Sequence, residues 1–311
     1  MRAAVLVAPS TFELRDVEPP DSVSGWQAIE VSACGVCGSD LGIYDRNPPI
    51  PQYWPGHEIS GLHDGERVVV NPLVFCGTCR FCAAGRENLC DAPRMISHHA
   101  PGGFAERVHA PEGNVHPIAA SAEHAACVEP VASSLHVLSV AGPLAGRRVA
   151  IVGGSTIGLL LAQLARQAGA GQVGLMARHA FQSELGERFG AGAVDFTPDV
   201  TLVAVAGDGS GLQWAADHTD TCGQIVLVGN TRDSRPLTLK WIVERELRVS
   251  GSQRYTGAEF QDALRRVESG ALDLDALITH RFPLSQISRA YEVAARKAEH
   301  RSVKVLVQPD A

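Results

Sequence analysis

Four closely spaced cysteines are the first feature of this chain with recognisable chemistry. They follow the pattern Cys-x2-Cys-x2-Cys-x7-Cys within 15 residues, at Cys76, Cys79, Cys82 and Cys90. A tetrahedral Zn²⁺ takes four thiolates at about 2.3 Å, and short Cys-x2-Cys turns can wrap them around one ion. Because sulfur fills all four positions, the pattern predicts a closed structural zinc site with no place for substrate. An iron–sulfur cluster and four free thiols are the alternative interpretations.

A second set of potential metal ligands flanks this loop. Cys37 lies in a Gly-Val-Cys-Gly-Ser-Asp motif, His57 and Glu58 lie in a Pro-Gly-His-Glu motif, and Glu129 precedes a proline. One thiolate, one imidazole and one carboxylate, completed by water, form the ligand set of a catalytic zinc site with one open position. Each motif is weak by itself, but their order around the four-cysteine loop makes a second zinc site a much stronger hypothesis.

The order of these motifs, followed by a glycine turn, resembles the zinc-dependent alcohol and polyol dehydrogenases of the medium-chain family over essentially the whole chain. The resemblance implies that Cys37 and His57 bind a catalytic zinc. Glu58 and Glu129 match two acidic positions that bind zinc directly or through water, and the sequence leaves open which of them does so. Ser39 matches the hydroxyl that takes the substrate proton, and we count Glu58 with it as catalytic. Zinc would then polarise the alcohol, and hydride would pass to a nicotinamide.

The chain departs from that family at the proton relay. Family members often have a histidine three residues after the serine, and this position is Gly42 here. The relay must then be shorter, run through water or use another group. Tyr44 is a candidate contact on the substrate side, with ordinary packing as the alternative. We expect the nearby Cys34 and Cys127 to be buried structural thiols, although Cys127 could compete as a ligand.

A glycine turn between a predicted strand and a predicted helix indicates a dinucleotide site. In the usual Gly-x-Gly-x-x-Gly fingerprint, the glycines allow the pyrophosphate to approach the helix N-terminus. Here the middle glycine position holds Ser155, so the fingerprint is degraded and its context must support it. The hydroxyls of Ser155 and Thr156 contact phosphate, cap the helix or do both. The predicted cofactor-binding residues of the turn are Gly153, Gly154, Ser155, Thr156, Ile157 and Gly158.

The end of the next predicted strand indicates which dinucleotide binds. An NAD site places an acidic residue there to accept the ribose hydroxyls. Alignment back from Phe189 places Ala177 at this position, followed by Arg178 and His179. Because an arginine attracts a 2′-phosphate and no carboxylate is present to repel it, we predict NADP(H), bound with the help of Arg178 and His179. The alternative is that both are exposed loop residues and that NAD binds without the usual acid.

Three side chains suggest the substrate. Arg254 lies in a Gln-Arg-Tyr segment that resembles the Phe-Arg-Tyr stretch of sorbitol-type dehydrogenases, so it is predicted to contact a polyol, with a domain-bridging salt bridge as the alternative. Trp54, just before the Pro-Gly-His segment, is predicted to help wall the active-site cleft. The acidic ligands and Arg254 favour a sugar alcohol, a sugar or a cyclitol, including aminocyclitols. The competing hypotheses are a reductase of an apolar ketone, aldehyde or activated alkene, and a non-catalytic zinc or nucleotide sensor.

The elements that must position these residues fall into two kinds. The first ~130 residues contain short apolar runs broken by proline and glycine, which predict mainly β structure. From residue 130 onward, buried strands alternate with helices, which predicts a doubly wound parallel sheet. No helix fits between Asp195 and Thr201, where family members usually have one, and the first domain is shortened between Gly61 and Gly65. The predicted strands there are 148–152, 173–176, 201–206 and 224–229, and the predicted helices are 130–141, 157–168 and 183–189.

The predicted fold is α/β, with a β-rich GroES-like catalytic domain and a Rossmann dinucleotide-binding domain. The tail, with helices near 257–269 and 284–296 and a strand at 302–307, is expected to return to the first domain. The catalytic domain is therefore assigned to residues 1–133 and 252–311, and the nucleotide domain to residues 134–251.

Composition limits the partners and the location of this protein. Hydrophobic residues make up 45% of the 311-residue chain, charged residues 20%, and the net charge is −7. This balance is typical of a soluble globular protein and argues against a nucleic-acid or membrane-surface binder, which usually has a basic patch. No apolar stretch approaches the length of a membrane span, and no signal peptide is recognisable, so we expect a cytoplasmic enzyme. The resemblance implies a homodimer or homotetramer built through the nucleotide domains.

Overall fold

The computed structural model describes residues 1–19, 24–46, 53–205, 209–229 and 239–310. The chain forms two compact units: Met1–Glu129 together with Thr256–Ala311, and Pro130–Tyr255. Each boundary between the units lies four residues from the assigned one. The first is at 129/130 in place of 133/134, and the second is at 255/256 in place of 251/252. Most of the helix that starts at Val128, and the Gln-Arg-Tyr segment, belong to the second unit.

The first unit is built on a seven-stranded sheet. The order of its strands is β15-β16-β3-β4-β5-β9, and β8 pairs with the remaining part of β3; β1 pairs with β2, and β6 with β7. Along the middle of β3, buried and exposed side chains alternate, because one face of the sheet packs against the core and the other faces solvent. The strands before residue 130 are β1 (Arg2–Ala8), β2 (Thr11–Asp16), β3 (Trp26–Gly35), β4 (Glu58–His63), β5 (Glu66–Val70), β6 (Leu73–Val74), β7 (Arg94–Met95), β8 (Arg107–Pro111) and β9 (Val115–Pro117).

Helices in this part of the chain are short. They are α1 (Gly38–Tyr44), α2 (Arg80–Ala83) and α3 (Ala122–Ala125), with 3₁₀ turns at Glu87–Leu89 and Glu112–Asn114. The C-terminal segment completes the unit with α9 (Gly257–Glu268), α10 (Leu274–Leu277), β15 (Ile278–Pro283), a 3₁₀ turn (Leu284–Gln286), α11 (Ile287–Ala295), α12 (Lys297–His300) and β16 (Lys304–Gln308).

The tail is tied to the start of the chain through β16. Leu306 and Val307 pair antiparallel with Gly35 and Cys34 at the end of β3. The same part of β3 pairs with the beginning of β4, where Gly35 faces Glu58. Three strands from distant parts of the sequence therefore meet at one end of the sheet, which is where the residues predicted to bind a catalytic zinc lie.

The second unit is a five-stranded parallel sheet with the order β11-β10-β12-β13-β14. The interior strand β10 is buried along nearly its whole length, as expected when both faces of a parallel sheet are covered. The elements are α4 (Val128–Ala141), β10 (Arg148–Val152), α5 (Thr156–Gln167), β11 (Gln172–Met176), α6 (Ala180–Arg188), β12 (Val200–Val203), α7 (Ser210–His218), β13 (Gln224–Leu227), α8 (Lys240–Glu244) and β14 (Arg248–Gly251).

The structure confirms the predicted fold class and the alternation of strands and helices in this unit. Strand 148–152 has the predicted bounds, and the other predicted helices and strands end within a few residues of the observed ones. No helix lies between Asp195 and Thr201, as predicted. The predicted strand 201–206 is observed as Val200–Val203, and its last residue lies outside the described part of the chain. Among the described helices, none combines the length and the apolar character that crossing a bilayer requires.

Candidate active site

The four cysteine thiols of the loop Cys76–Cys90 converge on one point. Their sulfur atoms all lie within 4.8 Å of one another. The Sγ of Cys82 is 3.9 Å from that of Cys76 and 3.5 Å from that of Cys79. Tetrahedral zinc with bonds of about 2.3 Å would place sulfurs about 3.8 Å apart. The donor set and its spacing therefore fit one four-coordinate zinc ion.

Backbone amides favour the thiolate form of these cysteines. The N–H of Cys79 donates to the Sγ of Cys76, and the N–H of Cys82 donates to that of Cys79. Hydrogen bonds from the backbone N–H groups of Thr78 and Cys79 lower the pKa of Cys76 to about 6. The loop thus stabilises negative charge with peptide dipoles, and it does so within its own backbone.

Cys37, His57 and Glu58 form a second cluster at the end of the seven-stranded sheet. One ligand atom from each lies within 4.8 Å of the others. Cys37 follows β3 and is the N-cap of α1, whereas His57 directly precedes β4 and Glu58 begins it. His57 and Glu58 are 2% and 1% exposed, and Cys37 is half-buried. A thiolate, an imidazole and a carboxylate held together below the surface fit zinc.

Asp40 connects two members of this cluster. Its Oδ2 accepts a hydrogen bond from the N–H of Cys37 at 3.0 Å, and its Oδ1 lies 3.4 Å from Nδ1 of His57. Burial would lower the pKa of His57, but the carboxylate of Asp40 and the thiol of Cys37 raise it well above its usual value. A carboxylate beside one ring nitrogen orients the other nitrogen toward a metal. Asp40 was not among the residues predicted from the sequence; its place three residues after Cys37, in the first turn of a helix, was the available signal.

Glu58 is paired with a lysine that sequence reasoning missed. Nζ of Lys304 lies 2.7 and 2.5 Å from the two carboxylate oxygens of Glu58 and 3.3 Å from the carbonyl oxygen of Val36. The two charged side chains are 2% and 1% exposed. Burial would lower the pKa of Lys304, but Glu58 and Cys37 raise it, so the ammonium stays charged.

The close approach of Glu58 to β3 requires a glycine. A Cβ atom at Gly35 would lie inside the van der Waals radius of the Glu58 carboxylate. The only signal for Lys304 in the sequence was a lysine within the apolar run Val303–Val307.

Glu129 lies outside the cluster of Cys37, His57 and Glu58. It is buried at the start of α4, and burial raises the pKa of its carboxyl to about 7, with His57 opposing that rise. Cys34 and Cys127 are buried, as expected, and burial raises the pKa of the Cys127 thiol to about 12. Neither cysteine joins the cluster.

Ser39 and Gly42 lie on neighbouring turns of α1. Ser39 is exposed, two residues after Cys37, and its hydroxyl group hydrogen-bonds to no residue that the structure describes. A Cβ atom at Gly42 would meet nothing within 4 Å, so the position of the missing relay histidine is open. Tyr44 instead packs against Phe12 and Tyr291, and its hydroxyl donates to the carbonyl oxygen of Ser10. Its observed contacts are therefore those of the packing alternative.

Trp54 is 7% exposed and packs against Ala3, Val5 and Ala105 in a small apolar cluster. Its place in the wall of the cleft stays a prediction. Arg254 is half-buried, has a left-handed backbone with φ of 53° and makes no ion pair with any described residue. The salt-bridge alternative for Arg254 thus has no support in the described part of the chain.

The predicted cofactor turn joins β10 to α5 in the second unit. Gly153 has φ of +117°, and a Cβ atom at Gly158 would lie against the carbonyl oxygen of Gly153. Ser155 is the N-cap of α5, and its Oγ accepts a hydrogen bond from the N–H of Gly158 at 3.4 Å. The capping interpretation of Ser155 is therefore observed, and Thr156 and Ile157 begin the helix.

The residues predicted to determine the preference for NADP(H) over NAD(H) follow β11. Ala177 follows the strand, and Arg178 is exposed without an ion pair to any described residue. His179 is the N-cap of α6, and its ring stacks on Phe181 at 5.9 Å. The segment therefore presents a cation to solvent and no carboxylate.

Comparisons with known proteins identify the family. Residues 24–120 match the alcohol dehydrogenase GroES-like domain. The chain is 30% identical to a sorbitol dehydrogenase of Bombyx mori, over 98% of this chain and 97% of the relative. It resembles a zinc-binding dehydrogenase of Sinorhizobium meliloti bound to NADP, with a TM-score of 0.89, 32% identity and 99% of each chain covered. An alcohol dehydrogenase of E. coli CFT073 complexed with NADH has a TM-score of 0.92, 26% identity and the same coverage.

The likeness extends over nearly the entire length of the chain and of these relatives, and both halves of the predicted architecture are present in the structure. The chain therefore belongs to the zinc-dependent medium-chain alcohol and polyol dehydrogenases, which are NAD(P)-dependent oxidoreductases.

Proposed function

We propose that this protein oxidises a secondary hydroxyl of a polyol, sugar or cyclitol, including aminocyclitols, or reduces the corresponding ketone, with NADP(H). The observation that carries this proposal is the buried cluster of Cys37, His57 and Glu58, whose mixed donors suit a metal with an open position. When bound there, zinc would polarise a hydroxyl oxygen and lower its pKa. The four-cysteine loop is assigned to a second, structural zinc.

Within the cluster, each residue has a separate role. Cys37 and His57 are proposed as two ligands, and Asp40 fixes the orientation of the imidazole. Glu58 is proposed as the carboxylate ligand because it is the acid within reach of both, while Lys304 neutralises part of its charge. Glu129 is proposed to interact with the zinc through a water molecule. Comparing the zinc affinities of Glu58→Gln and Glu129→Gln tests this choice, because the direct ligand should show the larger loss.

Ser39 is proposed as the hydroxyl that takes the proton from the substrate. It is exposed on the first turn of α1, close in sequence to Cys37, and Gly42 leaves the next turn open. The proton can then leave to water without an intervening imidazole. Ser39→Ala should lower kcat by about 10²-fold or more with little change in zinc content, the usual range for loss of a proton-transferring group. An unchanged kcat would remove Ser39 from the mechanism.

Arg254 is the remaining substrate contact in this proposal. Its guanidinium has no ion pair among the described residues, so its donors can serve hydroxyl groups. Tyr44 and Trp54 are left out of the proposal because both side chains are committed to packing. Arg254→Met should raise KM for a polyol more than KM for a simple secondary alcohol. Equal changes for both substrates would point to a structural role.

The NADP(H) preference rests on Arg178 and Ala177. An exposed arginine beside a position that lacks the usual acid favours a 2′-phosphate. Arg178→Asp should weaken NADP⁺ binding by about tenfold or more and leave NAD⁺ binding little changed. An unchanged ratio of the two dissociation constants would refute the preference.

Two measurements address the whole proposal. Metal analysis should find about two zinc ions per chain, and a single zinc would mean that the Cys37 cluster does not hold one. A panel of polyols, cyclitols, apolar ketones and aldehydes, assayed with both dinucleotides by nicotinamide absorbance, separates a polyol enzyme from an apolar reductase. Full zinc content without turnover on any substrate would favour the sensor hypothesis.

Self-association through the second unit is the last part of the proposal. β14 is an edge strand of the five-stranded sheet, and Val249 on it is 39% exposed. An exposed edge strand can pair with the same strand of a second copy, which would give the expected homodimer or homotetramer. Val249→Lys should shift the protein to a smaller species in light scattering, and an unchanged mass would place the interface elsewhere.

A further inference from the structure

Gln182 is a buried polar residue of the second unit whose side chain has no partner in the described protein. It lies in the first turn of α6 and is 5% exposed. Its backbone N–H donates to the carbonyl oxygen of His179, but its amide group makes no hydrogen bond with any residue that the structure describes. Neither amide atom is among the described unpaired polar atoms that are wholly shielded from solvent. The amide therefore reaches the surface.

The surroundings of Gln182 are those of the predicted cofactor turn. A Cβ atom at Gly154 would lie 2.9 Å from Oε1 of Gln182 and 2.9 Å from the Cβ of Ala177. Gly154 belongs to the turn after β10, Ala177 follows β11, and Gln182 is on α6. The turn after β10, the end of β11 and the first turn of α6 thus meet at Gly154, where only a residue without a side chain fits.

This point of a doubly wound sheet is where an adenosine ribose is recognised. The residue that usually recognises this ribose is an Asp or Glu at the end of the second strand. Its carboxylate accepts hydrogen bonds from the ribose hydroxyls and repels a 2′-phosphate. Ala177 can do neither. A glutamine amide offers an oxygen that accepts from a hydroxyl and an N–H₂ group that donates to a phosphate, and it carries no charge.

We infer that Gln182 is a specificity-determining residue, whose amide hydrogen-bonds the 2′-substituent of the adenosine ribose of the dinucleotide. This inference rests on the proposed NADP(H) function, and it assigns Gln182 the role that the missing acid would have had. Arg178 supplies charge from the exposed side, and Gln182 supplies a directional hydrogen bond from the buried side.

Binding calorimetry with adenosine 2′-monophosphate and adenosine 5′-monophosphate tests this role without turnover. Gln182→Glu places a carboxylate beside the 2′-position, so it should lower the ratio of affinities for the 2′- over the 5′-monophosphate by about tenfold or more. Gln182→Met keeps the length of the side chain but removes its hydrogen bonds, so it should lower the same ratio by about threefold to tenfold. The matched control is Gln172→Glu, which makes the same charge change at the opposite, exposed end of β11.

The outcomes separate this inference from the cofactor proposal. A changed ratio for both Gln182 variants, with Gln172→Glu within twofold of the unmodified protein, supports it. A ratio within twofold for both overturns it. Thermal melting checks folding, and Gln182→Met decides alone if Gln182→Glu is unfolded. If the unmodified protein binds NAD⁺ more tightly than NADP⁺, the cofactor preference fails, while a shift in the monophosphate ratio still supports the role of Gln182.

Discussion

The four-cysteine loop and the Cys37 cluster solve the same electrostatic problem in different ways. In the loop, all donors lie within one short segment, are partly exposed and receive hydrogen bonds from their own backbone. In the cluster, the donors come from two separate segments, the N-cap of α1 and the start of β4, and two of the three are buried. The ammonium group beside Glu58 belongs to a residue 246 positions away in the sequence. Burial explains the difference, because peptide dipoles and water suffice near the surface but a buried carboxylate needs an ion as a partner.

The comparison predicts that single changes have local effects in the loop and distributed effects in the cluster. A loop cysteine is supported by neighbours a few residues away. A cluster residue is supported by β3, β4, β16 and α1 together, so a change there alters metal binding and chemistry, and a change that leaves a buried charge without its partner also lowers stability.

The largest effect is expected for the thiol that should be shared by metal binding and chemistry. Cys37→Ser should lower kcat by about 10³-fold or more, since zinc contributes several kcal/mol to charge stabilisation. Zinc content should fall from two to one per chain, and the melting temperature should change little, because serine is a good N-cap for α1. Cys222→Ser, a change at an exposed cysteine outside both sites, is the control. Turnover within tenfold of the unmodified enzyme would mean that the cluster is not catalytic.

Lys304→Met should have the next largest effect. It leaves the Glu58 carboxylate buried without its partner, and breaking a buried pair in this way costs about 3–5 kcal/mol. The free energy of unfolding in urea should fall by that amount, and adding Glu58→Gln should restore much of it. Arg281→Met breaks the more exposed pair with Glu123 and should cost at most about 1 kcal/mol. If Lys304→Met and Arg281→Met lowered the free energy of unfolding by equal amounts, the contrast between buried and exposed ion pairs would be contradicted.

Asp40→Asn should have a smaller effect, confined to one metal site. Removing the charge beside His57 weakens the orientation of the imidazole, and changes of this kind typically cost 10–100-fold in metal affinity. Competition with a chromophoric chelator should show that loss for one zinc and none for the other. If both zinc ions are weakened together, the two sites are not independent.

The smallest effect is expected in the loop. Oγ1 of Thr78 donates to the Sγ of Cys76 at 3.8 Å, a long contact beside two backbone hydrogen bonds. Thr78→Val should therefore change the rate of zinc removal by chelator no more than about fivefold. If Thr78→Val weakened zinc binding at the loop as much as Asp40→Asn is expected to weaken it at the cluster, side chains rather than backbone amides would stabilise the loop thiolates.

The sequence predicted features whose cause is local. Continuous apolar runs identified the strands of the second unit, and the spacing of four cysteines predicted sulfurs that the structure brings within 4.8 Å of one another. Side chains such as Trp54 and Tyr44 were assigned by chemical type, but packing decides their place. The aromatic contacts of Tyr44 involve Phe12 and Tyr291, and no local pattern could have indicated that grouping.

Lys304 shows why the rest could not be predicted. A single lysine in an apolar strand usually points to solvent, and nothing near it in sequence indicates a carboxylate partner. Its burial follows from the pairing of β16 with β3 and of β3 with β4, which is a property of the whole sheet. Gln182 is a similar case, because its significance depends on the approach of a turn from another strand.

The position of Lys304 also bears on the order in which the protein matures. Chains emerge from the ribosome N-terminus first and fold as units become complete. The four thiols of the loop are all available once Cys90 has emerged, so that loop can take up its metal while synthesis continues. The Glu58 carboxylate has no counter-charge until a further stretch of more than two hundred residues has been made. We therefore expect the loop to reach its final arrangement early in synthesis, and the arrangement of Glu58 in the cluster to be completed only after the final strand has docked.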